Sequence, residues 1–255
     1  MNFNLIGSGN TAWFFAQKLC AAGHTCKGIY SRNRETATEL AQELNSPIYQ
    51  SFEEIKDDAD VCIIAISDHA IQEISKQLSF RDTVLLHTAG SVDMDVLSDA
   101  AKYIGVIWPV YSIIKYKLPE HRHIPCVYEA STEKAKEVIL SIGQTFTNIL
   151  NEASAGQRRW LHMSAVLSNN FTNHLMAIAE QICKNQQVPF SMLVPILQQT
   201  FERVASASPF DVQTGPARRG DDATIRKHMD MLQSHPEWQA IYQSITSSIE
   251  KMYGR

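Results

Sequence analysis

A six-residue run, Gly7-Ser8-Gly9-Asn10-Thr11-Ala12, constrains this chain more than any other feature. It stands between an apolar run at 3–6, which reads as a strand, and a helical pattern at 11–22 that Gly23 is placed to end. Gly7 permits a tight turn, Gly9 lets a pyrophosphate approach the backbone, and Ala12 lets the helix lie close to a sheet. The helix N-terminus then presents free N–H groups and partial positive charge to phosphate. In isolation a Gly-x-Gly-x-x-Gly/Ala run says little; a strand before it and a helix after it give it its meaning.

The flanking sequence continues that alternation. Strands are expected at 26–30, 61–66, 84–87 and 106–108, with weaker ones at 126–129 and 146–150. Helices are expected at 34–44, with Asn33 as N-cap, and at 68–78. The unbroken β-branched run at 61–66 suits a strand buried on both faces of a parallel sheet. These units predict an α/β Rossmann domain with a mainly parallel sheet over 1–152. From about residue 155 the rhythm is helical: one long pattern at 160–184, another at 190–207, a Pro- and Gly-bearing loop at 208–220, a helix capped by Asp221 or Asp222, and a last helix opened by Pro236. An all-α domain over 153–255 follows.

The end of the second strand selects the cofactor. An NAD site usually carries an acid there; this chain has Tyr30-Ser31-Arg32-Asn33-Arg34. Ser31 and Arg32 can bond and neutralise a 2′-phosphate that an acid would repel, so NADP is expected, and a flavin dinucleotide, which lacks that phosphate, is disfavoured. Ile66-Ser67 and Thr88-Ala89-Gly90 end later strands and are expected to line the rest of the crevice. Asp68 reads as the N-cap of the helix that follows. The formal net charge of −4 gives no reason to expect nucleic acid. No segment reads as a signal peptide or membrane span, and five scattered cysteines without a Cys-x-x-Cys pair suit reduced thiols, so a cytoplasmic location is expected. His121 and His123, one residue apart, are a poor metal signature, and no metal site is expected.

The order of these motifs resembles a bacterial family that joins a Rossmann-like NADP-binding domain to a C-terminal helical domain of unknown function. The resemblance rests on Leu5 to Asn10, Asp60 to Ile71, Leu86 to Ser91, His162 to Asn170 and Thr214 to Asp221. More distantly the first half is similar to pyrroline-5-carboxylate reductase and deazaflavin-dependent NADP oxidoreductase, and the two-domain plan to the 6-phosphogluconate and β-hydroxyacid dehydrogenases. The resemblance implies an NADP-dependent oxidoreductase with a 6-phosphogluconate dehydrogenase-like helical domain, and, by analogy, a homodimer formed through that domain. Two departures stand out. β-Hydroxyacid dehydrogenases place a catalytic lysine three residues before an Asn-Asn pair, where this chain has Val166 before Asn169-Asn170. The close family tends to show His-Pro-Leu where this chain has Trp108-Pro109-Val110.

Reducing a carbonyl or imine requires a proton donor beside the heteroatom, and histidine suits that task near neutral pH. His162 is the first candidate, since helical spacing puts it on one face with Val166, Asn169 and Asn170 and directs it to an interdomain cleft. Asn169 and Asn170 are expected to orient substrate, and His87, ending a strand on the cofactor side, is the second proton-transfer candidate. Arg218 and Arg219, with Asp221, form a candidate clamp for an acidic keto or imino substrate. The competing expectation, which the missing lysine favours, is an NADP-binding sensor or scaffold without turnover.

Overall fold

The computed structural model describes residues 1–254. By its internal contacts the chain forms two units, 1–168 and 169–255. The first unit begins β1 (Asn2–Ile6), α1 (Asn10–Ala21), β2 (Thr25–Tyr30), α2 (Arg34–Leu44), β3 (Val61–Ile64) and α3 (Ile71–Ser75). It continues with β4 (Phe80–His87), β5 (Ala101–Pro109), β6 (Cys126–Ala130), α4 (Glu133–Gln144), β7 (Leu150–Glu152) and α5 (Ala155–Ala165). The strands form one sheet in the order β2-β1-β3-β4-β5-β6-β7, parallel except for the β5–β6 pair. From β1 the chain moves outward to β2 and then returns to β3 on the other side of β1. That reversal opens a crevice beyond the carboxyl ends of β1 and β3. A parallel bridge between Ile29 and Ile48 extends the sheet beyond β2.

Local chemistry explains the element boundaries. After α1, Gly23 takes φ +84°, and the N–H groups of Gly23 and His24 return to Cys20 and Leu19. The Asn33 side chain accepts from Thr36 N, Thr132 caps α4, and Ser154 and Gln157 form a reciprocal capping box that starts α5. All four residues of β3 are buried. On one face of the sheet Phe14, Phe15 and Phe146 pack edge to face with centroids 4.8–5.5 Å apart. The other face is filled by Ile64, Ile71, Leu85 and Leu97.

Several expectations are corrected. The 68–78 helix is a 3-10 turn over Asp68–Ala70 followed by the short α3. The fourth and fifth strands begin earlier than apolar runs suggested, at Phe80 and Ala101. The helix α4 was not anticipated, and the weak strand at 146–150 shrinks to β7 at Leu150–Glu152. The long 160–184 helix starts at Ala155 and is interrupted by a π-helical stretch, Val166–Phe171, before α6 (Thr172–Asn185). The compact units divide after Ser168, and α5, within the first unit, carries the fully buried Arg158.

The second unit holds α6, α7 (Val194–Ser206), α8 (Pro216–Arg219), α9 (Asp222–Met231) and α10 (Pro236–Met252). Its buried residues among those described are Ala217, Ile225 and Thr246, and α6 and α7 bury none of theirs. No described helix is long and apolar enough to cross a membrane.

Candidate functional site

The Gly-rich turn is built as its residue types require. Gly7 adopts φ +121°, and a Cβ there would collide with the carbonyl oxygen of Ala65 on the neighbouring strand, so only glycine fits. Its N–H donates to Tyr30 O at 2.8 Å, which ties the turn to the end of β2. Gly9 is the N-cap of α1 and supplies no side-chain cap, so the first-turn N–H groups stay available to an anion. A Cβ on Gly9 would enter open space, and Ala12 is fully buried against the sheet.

Gly7, Ser8, Gly9, Asn10 and Thr11 line a concavity of about 500 Å³ together with Ser31, Arg32, Asn33, Thr36, Ile66 and Ser67. Ser8 Oγ donates to Ser31 Oγ at 2.8 Å and lies 2.6 Å from Thr36 Oγ1, so hydroxyls join the Gly-rich turn to the start of α2. Arg32 is exposed and makes no hydrogen bond or ion pair among the described residues. Arg34, by contrast, is held by the carbonyls of Tyr49 and Gln50 at 2.8 and 3.0 Å. Among the described residues no carboxylate lines the concavity, and Lys115 adds a second cation that the sequence reading missed. A glycine whose Cβ position is taken, an uncapped helix N-terminus and an acid-free basic rim together fit a dinucleotide carrying a 2′-phosphate.

A second concavity, of about 180 Å³, shares Thr11 and Ile66 with the first. Thr88, Ala89, Gly90, Trp108, Tyr111 and His162 also line it. His162 is half-buried, with its ring centroid 5.5 Å from that of Trp108. Gly90 is the notch between them: a Cβ there would meet Trp108 Cε2 at 2.6 Å and His162 Cδ2 at 2.9 Å. Asp68 accepts a hydrogen bond from the Ser91 hydroxyl and does not cap the following turn as expected.

Arg158, unflagged by the sequence reading, bonds the backbone of two residues that line this concavity, Ala89 and Gly90. Its guanidinium is fully buried and donates to the carbonyls of Ala89 and Gly90 (both 3.3 Å) and of Val92, and to Glu129 Oε2 at 2.8 Å. A usable signal was present, because an arginine near the start of a helix opposes the helix dipole and calls for another reason.

The remaining expected site residues fall elsewhere. His87 is fully buried, and its Nδ1 accepts from Ala89 N at 3.2 Å. Burial, aided by the charge of Arg158, pushes its pKa down to about 4. In this state the ring is neutral near pH 7 and joins the turn that follows β4. Asn169 and Asn170 are exposed and lie inside the π stretch Val166–Phe171. Asp221 caps α9, with its carboxylate bonded to Thr224 N and Oγ1 at 3.1 and 2.8 Å. Arg218 stacks on Tyr253 at 4.5 Å, and Arg219 is exposed. Asp221 and Arg218 thus both have partners within their own unit.

The fold and the acid-free Gly-rich site define a dinucleotide-binding protein of the oxidoreductase class. Residues 2–90 match the family described as NADP oxidoreductase, coenzyme F420-dependent, and residues 124–249 match a domain of unknown function, DUF2520. A Bacteroides fragilis protein described as a "putative NADP oxidoreductase" is 32% identical over 98% of each chain, with a TM-score of 0.91. The chain therefore belongs to this NADP-dependent oxidoreductase family. The fold alone is shared with 1-pyrroline-5-carboxylate reductase from Streptococcus pyogenes (17% identity, 100% and 99% of the chains, TM-score 0.63). It is also shared with an imine reductase from Myxococcus stipitatus in complex with NADP+ (12% identity, 98% and 93%, TM-score 0.68). No curated protein matches the chain.

Proposed function

We propose that this protein is an NADPH-dependent reductase of a small carbonyl or imine compound, with His162 as the group that moves the proton. The observation that carries this reading is that the two concavities share Thr11 and Ile66 as lining residues, with His162 lining the smaller one. Ser8, Gly9, Asn10, Thr11 and Ala12 would hold the pyrophosphate, and Ser31, Arg32 and Asn33 the 2′-phosphate and its ribose. Thr88, Ala89 and Gly90 would bed the nicotinamide end. When bound, NADPH supplies hydride. The chain's own task is to seat the substrate against Trp108 and Tyr111 and to deliver a proton from the imidazole to the substrate's oxygen or nitrogen. The fold shared with a pyrroline-5-carboxylate reductase and an imine reductase supports including an imine among the substrates to be screened.

A homodimer is part of the proposal. α6 and α7 bury none of their residues, yet they expose Leu175, Ile182, Ile196, Phe201 and Val204. Apolar faces of this extent are usually covered. Light scattering on the purified chain reads this directly: a monomer at micromolar concentration removes it.

The deciding experiment titrates NADPH and NADH by fluorescence and then screens keto acids and cyclic imines for NADPH oxidation. Preferential NADPH binding that Arg32→Ser abolishes, with turnover that His162→Gln removes, is the expected result. Tight NADPH binding without turnover on any member of the panel would point to a sensor instead of a reductase.

A further inference from the structure

Lys115 belongs to no motif, yet it lines the larger concavity. It sits on a strap, residues 110–119, that leaves the end of β5 and is tied at both ends. Val110 N donates to Pro125 O at 2.7 Å, and Lys18 Nζ donates to Pro119 O at 2.6 Å. Midway, Lys115 N donates to Oδ1 of Asn10, the first residue of α1, at 3.2 Å. The Lys115 ammonium lies 2.9 Å from Glu39 Oε2, while the Tyr116 hydroxyl donates to Glu39 Oε1 at 2.9 Å. The same ammonium sits 4.4 Å from the Tyr116 ring centroid and 5.2 Å from that of Trp13. Arg32 and Lys115 are the two cations lining the concavity, and Glu39 does not line it.

We propose that Lys115 is a phosphate ligand of the bound dinucleotide, held by Glu39 in the free protein and released to the phosphates when the nucleotide enters. This rests on the reading that the larger concavity takes the cofactor. The exchange is favourable on charge: a partly exposed Lys–Glu pair is worth little, whereas a dinucleotide with a 2′-phosphate brings several negative charges to the same place. The bond between the strap and Asn10 keeps Lys115 beside the helix end where phosphate would lie.

The test measures Kd for NADPH, ADP and 2′,5′-ADP by fluorescence or calorimetry on the full chain, for the wild type, Lys115→Gln and Glu39→Gln. Thermal midpoints confirm folding. Lys115→Gln is expected to weaken NADPH about tenfold, the factor set by about 1.4 kcal/mol from one charge-assisted contact. Glu39→Gln is expected to tighten it, because the competing anion is gone. Opposite signs identify a ligand held in reserve. Equal weakening by both substitutions would mean that the pair is only a strut for the strap, and no change in either would remove Lys115 from the site; each result overturns the proposal. A loss confined to 2′,5′-ADP assigns Lys115 to the 2′-phosphate, and a loss shared with ADP assigns it to the backbone phosphates. Failure of the wild type to bind NADPH overturns the cofactor reading and this inference together, whereas normal wild-type binding with unaltered variants overturns only this inference.

Discussion

Replacing Arg158 with alanine should be the most damaging single change in the first unit outside its apolar core. The guanidinium is fully buried and serves four acceptors: the carbonyls of Ala89, Gly90 and Val92 and the carboxylate of Glu129. Removing one partner of a buried ion pair costs about 3–5 kcal/mol, because the other charge is left without compensation. The Glu129 side chain is 22% exposed, so water recovers part of that loss, and the lower end, about 3 kcal/mol, is expected. With a urea m-value of about 2 kcal/mol/M for a unit of this size, the midpoint should fall by about 1.5 M. Glu129→Gln keeps an acceptor opposite the guanidinium and should cost about 1 kcal/mol. The assay is urea unfolding followed by circular dichroism for the two single variants and the double variant. A shift below about 0.5 M for Arg158→Ala, or equal shifts for the two single variants, would refute the clamp and leave α5 attached by apolar packing alone.

Other outcomes follow from the same geometry. His87 has a folded pKa of about 4 against an ordinary 6.5, so the unfolded chain takes up the proton first on acidification. Its contribution is therefore complete above about pH 6.5 and drains away as pH falls toward 4, by about 3 kcal/mol in total. His87→Gln, which keeps an acceptor for Ala89 N, should flatten that part of the urea-midpoint profile, and an unchanged slope would count against a buried neutral imidazole. Gly7→Ala must place a Cβ on the Ala65 carbonyl at positive φ, and NADPH titration should show binding lost. Gly90→Ala should displace Trp108 and His162, costing about 1–3 kcal/mol by overpacking, with turnover falling more than NADPH affinity. His162→Gln should lower kcat by about 10²–10⁴-fold with the NADPH Kd unchanged; a Kd that moves in step would make His162 a binding residue.

Sequence by itself determined the Rossmann-like fold and the NADP class of the cofactor. Gly7, Gly9 and Ala12 are legible because each answers a local backbone demand, and Ser31 and Arg32 are legible because they occupy a fixed place after the second strand. The caps at Asn33 and Asp221 and the Pro236 helix start are equally local. What depends on residues far apart in the chain was not legible. Arg158 meets Ala89, Gly90 and Glu129 across 69, 68 and 29 positions, and Lys115 meets Glu39 across 76. No periodicity reports such pairs. The π stretch at Val166–Phe171, where Asn169 and Asn170 lie, was likewise not legible, since the residue pattern there does not distinguish a π turn from an α turn. Tertiary structure alone decided that His87 is buried, with its pKa pushed down to about 4, and that His162 stands beside Trp108 over the Gly90 notch. Burial and cross-chain contact set a histidine's role, and both are properties of the folded chain.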